Sequence, residues 1–487
     1  MFAFGGEFNR SMQHQIDTTI GGRSMVNLPF SLSALEHGAF VFAGLLIYVI
    51  STRLGQQRRY PSAAMAWVIT ITVFPYIGVP AFLLFGTRKF ARPVRGSRIS
   101  MPADSARAGP GWALHLLSAL DVPPPALDSC IVFHEDGFES RRALLTLIEH
   151  AQQHVDLSTY VLGADKVGAS VVDALVRRAR DGVHVRILLD AIGNMRTSRK
   201  QIRALKDGGV SVCWFMPLLH NPLRGRTNLR YHRKLMVVDR CHLWSGGRNL
   251  ASEYFIDEPG LPAWTDLSFV VRGSLAAQAQ LLFERDWRAA SGRANAVSPE
   301  EGPGARPEGG ASAQLIPSGP DCADDTIYAL LLSAAYQANR RIQAVTPYFV
   351  PDDALLSAWC MAARRGVRVT LIVPARSNHR LADLARERAL RELAAAGASV
   401  HLYPAMIHAK AVVIDDQLAL CGSANLDARS LFLNFELMTA FYGSAEISWL
   451  EAWIDRGAAR SSAYQARAPS WGRDIVEGVV RSVGFQL

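Results

Sequence analysis

The chemically distinctive residues of this chain lie in two copies of an H-x-K-x4-D motif. The first copy contains His232, Lys234 and Asp239, and the second contains His408, Lys410 and Asp415. In an extended strand, residues i and i+2 project from the same face. We therefore expect each histidine and its lysine to point into one pocket, with the intervening residue facing away.

The two motifs belong to a longer internal repeat. Their histidines are 176 residues apart, and the same spacing relates Gly246 to Gly422 and Asn249 to Asn425. No insertion or deletion interrupts this block. Such self-similarity indicates two copies of one structural unit, so we expect both motifs to contribute to a single site.

A site with two histidines, two lysines and two asparagines suits a phosphate ester. The lysines provide positive charge, while Asn249, Asn425 and Ser423 provide neutral hydrogen-bonding groups for phosphoryl oxygens. One imidazole can attack phosphorus, and the other can transfer a proton to or from an alcohol oxygen. This chemistry needs no metal or other cofactor, and we expect none.

Each imidazole also needs a carboxylate at Nδ1 to fix its tautomer. Asp266 lies 34 residues after His232, and Glu436 lies 28 residues after His408, so both are candidates for this role. For the aspartate of each motif two roles stay open. It either takes part in the chemistry or forms a salt bridge in the scaffold.

Short apolar strands alternate with helical stretches in both halves of the chain. Uninterrupted apolar runs such as LMVV and AVVI are typical of strands covered on both faces. The pattern predicts two tandem α/β domains, at residues 129–290 and 314–487, each with a mainly parallel or mixed sheet between helices. We expect them to pack about a pseudo-twofold axis, with segments 101–128 and 291–313 as linkers.

Two apolar stretches precede the repeated domains, at residues 35–51 and 63–85. A helix of about 20 apolar residues crosses a bilayer, so residues 1–100 are predicted to form a membrane anchor with two transmembrane helices. Two alternatives are a signal peptide at the first stretch and a pair of buried helices in a soluble protein.

Basic residues set the expected orientation and partners. Between residues 88 and 98 the chain carries four arginines, one lysine and no acidic residue. Such a cluster beside a membrane helix usually faces the cytosol, which predicts a multi-pass protein whose remaining chain is cytosolic. The formal net charge of +9 suits an anionic membrane or a nucleic acid. The six scattered cysteines are predicted to be reduced.

Three further stretches carry a resemblance to a known family: TPYFVPDDALL, IHAKAVVIDD and GSANLDARSLFLNFE. With the duplicated H-x-K-x4-D and G-x-x-N motifs, residues 129–487 resemble the phospholipase D superfamily, and within it the bacterial cardiolipin synthases. The resemblance implies an enzyme of the bacterial cytoplasmic membrane that transfers a phosphatidyl group between two phosphatidylglycerol molecules, giving cardiolipin and glycerol through a phosphohistidine. It also implies that His232 is the nucleophile and His408 the general acid and base.

Two positions depart from the pattern of that family. Tyr231 stands where such synthases often have asparagine, and Arg248 fills a position that is often hydrophobic. Both flank the first motif, so they bear on the identity of the acceptor alcohol.

Several other functions stay open at this point. A hydrolytic phospholipase D or a phosphatidylserine synthase would use the same intermediate with a different acceptor. A soluble nuclease of the superfamily would lack the apolar stretches, so we expect no nucleic-acid partner. A non-catalytic lipid-binding membrane protein would be favoured by a broken motif, and both motifs are intact. The sequence does not decide whether the chain forms a homo-oligomer.

Overall fold

The computed structural model describes residues 34–54, 61–86, 108–217, 228–292, 310–473 and 477–478. The basic cluster between 88 and 98, and most of the predicted linker at 291–313, lie outside these ranges. The described chain forms three N-terminal helices and an α/β body built around a large mixed sheet.

The first apolar stretch forms helix α1 (Ala34–Leu54). Its segment Leu35–Thr52 is long and apolar enough to cross a bilayer, and only 11% of that segment is buried within the protein. An apolar helix with so little protein contact is expected to be covered by lipid.

The second apolar stretch is divided between two shorter helices, α2 (Pro61–Val73) and α3 (Pro75–Phe85). Pro75 lacks an N–H and disfavours helical geometry at the preceding residue. Phe74 accordingly has φ −127° and ψ 60°. The expectation of one continuous helix over 63–85 is therefore wrong, because the proline begins a new helix.

The three N-terminal helices pack around a small apolar cluster formed by Tyr48, Ile71, Val79 and Phe82. Gly78 lets α2 and α3 approach closely, since a Cβ atom there would lie 2.7 Å from the carbonyl oxygen of Thr70. Large apolar side chains such as Phe42, Met65 and Ile77 are exposed on the outside of this unit.

The predicted linker at 101–128 contains a helix, α4 (Gly111–Ala119), which corrects the sequence analysis. The Pro-, Ala- and Gly-rich composition suggested irregular chain. However, Ala113, Leu114 and Leu117 have helical spacing and are buried. Two of them join the hydrophobic core of the second half, so this segment is part of the folded body.

The first half of the body alternates strands and helices. In chain order its elements are β1 (Ala126–His134), α5 (Gly137–His150), β2 (His154–Thr159), α6 (Lys166–Arg180), β3 (His184–Asp190), α7 (Arg199–Asp207), β4 (Ser211–Phe215), β5 (Leu235–Val238), β6 (His242–Gly246), β7 (Ser268–Arg272) and α8 (Ser274–Ser291). A short 3-10 helix, Ser252–Tyr254, lies between β6 and β7.

The second half repeats this plan. Its elements are β8 (Ala311–Ser318), α9 (Thr326–Gln337), β9 (Arg341–Val345), β10 (Phe349–Val350), α10 (Asp353–Arg364), β11 (Arg368–Pro374), α11 (Arg380–Ala395), β12 (Ser399–Tyr403), β13 (Ala411–Ile414), β14 (Leu418–Gly422), β15 (Leu426–Asp427), α12 (Ala428–Phe432), β16 (Glu436–Phe441), α13 (Ser444–Ala459) and β17 (Ser462–Ala463). Strands β10 and β15 pair separately from the main sheet.

The two halves share one continuous sheet with the strand order β17-β12-β11-β9-β13-β14-β16-β8-β1-β7-β6-β5-β2-β3-β4. Strands β1 and β8 pair antiparallel at its centre, and the strands on either side correspond in order. Strands β2, β3 and β4 are parallel, as are β9, β11 and β12, whereas the central strands are antiparallel. The predicted tandem α/β architecture with a mixed sheet is confirmed.

Residues of the same strand pack into different cores. In β5, Met236 and Val238 contact a cluster that also contains side chains of α5, α6 and α7. Leu235 and Val237 face a second cluster, which contains α8 and residues of both halves. Successive strand residues point to opposite faces, so the uninterrupted LMVV run reflects burial on both sides. The shared core lies beside the two motifs and includes Tyr231.

Candidate active site

Each motif histidine lies in an extended segment that ends where a strand begins. Strands β5 and β13 start one residue after the motif lysines. The backbone N–H of His232 donates to the carbonyl of Phe435 at 2.9 Å, and that of His408 donates to the carbonyl of Thr265 at 2.7 Å. Each motif is thus anchored to the backbone of the opposite half, which brings both motifs to the interface.

The histidines and the predicted orienting carboxylates form crossed pairs. Nδ1 of His232 lies 2.9 Å from both carboxylate oxygens of Glu436, and Nδ1 of His408 lies 2.7 Å from Oδ2 of Asp266. An ionised carboxylate can only accept a hydrogen bond, so Nδ1 carries the proton in each pair. Nε2 is then the nitrogen that can attack or accept a proton.

Both motif lysines lie beside their histidines, as the i and i+2 spacing predicts. Lys234 Nζ donates to the carbonyl of His232 at 2.9 Å. Lys410 Nζ donates to the carbonyl of His408 and lies 2.7 Å from Nδ1 and 3.0 Å from Nε2 of the same imidazole. Both lysines are only 1% exposed, so two positive charges are concentrated in a buried space.

Burial changes the acid–base properties of these groups. Desolvation lowers the pKa of His232 to about 4 and that of His408 to about 3, because a buried imidazole resists protonation. Desolvation also lowers the pKa of Lys234 to about 7 and that of Lys410 to about 8. The imidazoles are therefore neutral at pH 7, which suits nucleophilic attack through Nε2.

The orienting carboxylates are ionised despite their burial. Desolvation raises the pKa of Glu436, but its contacts with His232 and Lys234 outweigh burial and lower that pKa overall. The same balance applies to Asp266, where His408 provides the largest opposing contribution to its pKa.

The predicted phosphate-binding asparagines lie in the G-x-x-N turns that follow β6 and β14, and both are buried. Asn249 Nδ2 donates to the Tyr254 hydroxyl at 2.7 Å. Asn425 hydrogen-bonds to Asp427 and lowers the pKa of that carboxyl, which burial nevertheless raises to about 6 overall. Within the described ranges, Oδ1 of both asparagines is buried without a hydrogen-bond partner. A buried amide oxygen of this kind can accept a hydrogen bond from a ligand hydroxyl, whereas a phosphoryl oxygen requires the Nδ2 donor of the same amide.

Ser423 supports an orienting carboxylate rather than pointing to open space. Its hydroxyl donates to Glu436 Oε2 at 2.5 Å and accepts the Leu437 backbone N–H at 2.9 Å. The corresponding residue of the first half is Gly247, where a Cβ atom would lie 2.3 Å from Asp266 Oδ1. The longer Glu436 is thus held by a serine, and the shorter Asp266 needs a glycine beside it.

Of the two roles open to the motif aspartates, the contacts favour a scaffold role, through backbone hydrogen bonds rather than a salt bridge. Asp239 accepts the backbone N–H groups of Gln152, Gln153 and His154, each at 2.8 Å. Asp415 accepts three equivalent N–H groups from residues 339–341 at 2.8–3.0 Å. Both follow the far ends of β5 and β13, so they fix the start of the neighbouring strand.

The two departures from the family pattern point into the scaffold. Tyr231 is buried and donates its hydroxyl to Asp286 at 3.0 Å. Arg248 is 1% exposed and donates to the carbonyls of His134 and Glu135 at 3.0 and 2.7 Å. The side chains of both residues thus form hydrogen bonds within the scaffold.

Sequence reasoning missed several aromatic neighbours of the histidines. Tyr254 and Trp264 have ring centroids 5.0 and 5.7 Å from that of His408. The ring of Tyr160 lies 5.0 Å from that of His232. Tyr348 instead donates to Asn378. Aromatic residues in loops have no spacing signal that distinguishes pocket lining from packing.

A family model described as "Cardiolipin synthase, PLD-like domain" matches residues 144–287 and 331–457. The two matched segments correspond to the two halves of the body. A second model, described as "Phospholipase_D-nuclease N-terminal", matches residues 41–86, which include most of the three N-terminal helices.

Curated relatives are similar along most of the chain. A cardiolipin synthase from Geobacillus thermodenitrificans is 31% identical over 415 residues, which is 81% of this chain and 82% of that protein. A cardiolipin synthase from Alkalihalophilus pseudofirmus is 29% identical over 439 residues, 86% of each chain. The crystal structure of phosphatidylserine synthase from Haemophilus influenzae shares the fold, with a TM-score of 0.60, 15% identity and coverage of 77% of this chain and 100% of that one.

Proposed function

The chain belongs to the phospholipase D-like cardiolipin synthase family, and we propose that it transfers a phosphatidyl group from one phosphatidylglycerol molecule to the hydroxyl of a second. The observation that carries this proposal is the crossed pair of histidine–carboxylate contacts, His232 with Glu436 and His408 with Asp266. It leaves two Nε2 atoms for chemistry at one phosphodiester.

In the first step, Nε2 of His232 attacks phosphorus of the donor lipid. A phosphorus–nitrogen bond forms, the bond to the glycerol oxygen breaks, and His408 gives a proton to that oxygen. The bound phosphodiester is negatively charged and lies near Lys234 and Lys410. Its charge opposes theirs and raises the imidazole pKa values above those of the empty site, which allows His408 to hold a proton.

In the second step, His408 removes the proton from the acceptor hydroxyl. The acceptor oxygen bonds to phosphorus, and the phosphorus–nitrogen bond breaks, so that neutral His232 is regenerated. The products of the two steps are glycerol and cardiolipin. Lys234, Lys410 and the amides of Asn249 and Asn425 stabilise the charge on the phosphoryl oxygens.

Product analysis tests this proposal directly. Purified full-length enzyme is incubated with phosphatidylglycerol in mixed micelles, and the lipids are identified by mass spectrometry. We expect cardiolipin and glycerol as products, and the loss of both products in the His232→Asn and His408→Asn variants. Phosphatidic acid as the only product would identify a hydrolase instead. Full activity in either variant would exclude the shared-site mechanism.

We also propose that the catalytic body lies on the cytosolic side of the bacterial cytoplasmic membrane. The apolar helices α1, α2 and α3 and the basic residues between 88 and 98 support this orientation. Cys130 on β1 is exposed, so a variant that retains only this cysteine reports sidedness. A membrane-impermeant maleimide should label it in inverted vesicles and not in spheroplasts, and labelling in intact spheroplasts would reverse the orientation.

A further inference from the structure

The surroundings of the two histidines differ in charge. The 176-residue offset pairs Arg230 with Met406, and Arg429 with Glu253. The groups that act on phosphorus are present in both halves, but these two arginines have no basic counterpart. A pair of cations that occurs on one side of a duplicated site indicates a ligand that is bound on that side alone.

The two arginines come from different halves and meet beside the first motif. Arg429, at the start of α12, donates to Asn228 Oδ1 at 3.1 Å and to the Asn228 carbonyl at 2.9 Å. Arg230 is 3% exposed, and its Nη1 lies 3.5 Å from Oδ1 of Asp190. The guanidinium of Arg429 thus contacts the segment that leads to His232, and Arg230, which lies in that segment, contacts Asp190 at the end of β3.

Asp190 and Asp427 are acidic groups beside these two arginines. The oxygens of Asp190 accept the backbone N–H groups of Ile192, Gly193 and Tyr231 at 2.8–2.9 Å. Desolvation has the largest effect on the pKa of Arg429 and lowers it; Asp427 and Asp190 raise this pKa, whereas Arg230 lowers it further. Two cations that act on each other with little exposure to water repel one another, and an anion bound by both would reduce that repulsion.

Tyr160 connects the arginine pair to the candidate active site. Its hydroxyl is close enough to Arg429 and Arg230 that both lower its pKa, although burial raises that pKa overall. Its ring also contacts His232 and lies 5.7 Å from Lys234 Nζ. Tyr160 and Arg429 are partly exposed whereas His232 and Arg230 are buried, so Arg429 is the member of the pair that lies towards solvent.

We propose that Arg230 and Arg429 bind the phosphodiester of the acceptor phosphatidylglycerol, a second anionic group in addition to the phosphodiester that reacts. The proposal rests on the proposed function and specifies how that site recognises its second substrate. Guanidinium groups bind phosphate oxygens in a fork geometry. One glycerol separates the two phosphates of cardiolipin, so the acceptor phosphate must lie near the reacting phosphorus but outside its cradle of lysines and asparagines.

The arginine pair favours transfer over hydrolysis in this scheme. With the acceptor phosphate bound, the acceptor hydroxyl is held near the phosphohistidine. Its proton passes to the acid/base histidine, its oxygen bonds to phosphorus, and the phosphorus–nitrogen bond breaks to release neutral His232. Water has no phosphate, so the two arginines do not hold it near the phosphohistidine. A neutral alcohol reacts at the same phosphorus without this contact.

Two reactions of the same donor separate this role from a structural one. The first is cardiolipin formation in mixed micelles in which the surface concentration of phosphatidylglycerol is fixed. The second is exchange of isotopically labelled free glycerol into phosphatidylglycerol, which uses the same donor and a neutral acceptor. For Arg429→Gln we expect cardiolipin formation to fall about tenfold to a hundredfold, the effect of one charge-assisted hydrogen bond, and exchange to change less than about twofold.

The Arg429→Lys variant and the Glu253→Gln variant provide matched controls. Lysine keeps the charge and should recover part of the lost cardiolipin formation, and Glu253 is the exposed counterpart on the other side. An equal fall in both reactions would overturn the acceptor role, because it would indicate a general effect on His232. Unchanged cardiolipin formation in both Arg429→Gln and Arg230→Gln would also overturn it. Failure of the wild-type enzyme to make cardiolipin, with exchange intact, would instead reject the proposed function.

Discussion

Nδ1 of His232 lies 2.9 Å from the carboxylate of Glu436, a residue of the other half of the protein. His408 makes the reciprocal contact with Asp266 of the first half. Because each imidazole takes its tautomer from a carboxylate across the interface, neither half contains a complete reaction centre. Any movement between the halves would disturb both histidines together.

The first prediction concerns the separate roles of the two carboxylates. Glu436→Gln should impair His232, and Asp266→Asn should impair His408, because an amide cannot replace the charged acceptor at Nδ1. We expect kcat to fall at least about a hundredfold in each variant. Cardiolipin formation at saturating phosphatidylglycerol measures the loss.

A p-nitrophenyl phosphodiester lipid distinguishes the two variants, because its leaving group needs no proton. With His232 as nucleophile, Asp266→Asn should still release p-nitrophenol in a burst and accumulate covalent phosphoenzyme. Glu436→Gln should show neither. The opposite pattern would make His408 the nucleophile.

The second prediction follows from the unequal support of the carboxylates. Gly247→Ser would place side-chain atoms against Asp266, since even a Cβ atom would lie 2.3 Å from its Oδ1. The carboxylate must shift, and kcat should fall about a hundredfold or more. Ser423→Gly removes one hydrogen bond to Glu436, and about a tenfold loss is expected. A smaller effect for Gly247→Ser than for Ser423→Gly would contradict this account.

The third prediction separates the motif aspartates from the chemistry. Asp239→Ala removes the acceptor of three backbone N–H groups and places alanine at φ 50°, a region that favours glycine, asparagine or aspartate. The free energy of unfolding should fall by about 1–3 kcal/mol. Asparagine tolerates this backbone geometry, so the free energy of unfolding should fall less in Asp239→Asn than in Asp239→Ala.

Activity below the unfolding transition is the decisive readout for these variants. Folded Asp239→Asn should retain kcat within a few fold, measured alongside the thermal midpoint. A large loss of kcat without a change in midpoint would restore a catalytic role for Asp239. Asp415→Asn provides the matched variant in the second half.

Residue spacing predicted that each motif lysine lies beside its histidine and that Asp266 and Glu436 are candidates to contact the histidines, and the structure has these contacts. It did not predict that Glu436 serves His232, since the half that supplies each carboxylate depends on how the halves pack. The sequence also did not show that His232 and Asp239 of one motif have different roles. A polar residue gives the same sequence pattern whether it precedes or follows a buried strand. The helix break before Pro75, in contrast, could have been predicted from the sequence, because the steric effect of a proline on the preceding residue is general.

The last prediction concerns the alkaline limb of the pH profile. Burial lowers the pKa of Lys234 to about 7 and that of Lys410 to about 8, and only the protonated forms attract a phosphodiester. A base with a lowered pKa is charged below that value and loses its charge as pH rises through it. In the free enzyme, kcat/KM should therefore decline above about pH 7–8.

Folding stability should increase, rather than decline, as pH rises above about 7–8. The unfolded chain has a lysine pKa near 10.5, so between about pH 7 and 10.5 it binds more protons than the folded chain, and these lysines favour folding increasingly as pH rises. The decline in kcat/KM should thus occur without a fall in the thermal midpoint. The side chain of Lys234→Arg stays charged. The alkaline limb of this variant, measured on the activity that it retains, should therefore lie at higher pH. If the wild-type limb instead coincides with unfolding, or does not move in Lys234→Arg, deprotonation of the buried lysines is not its cause.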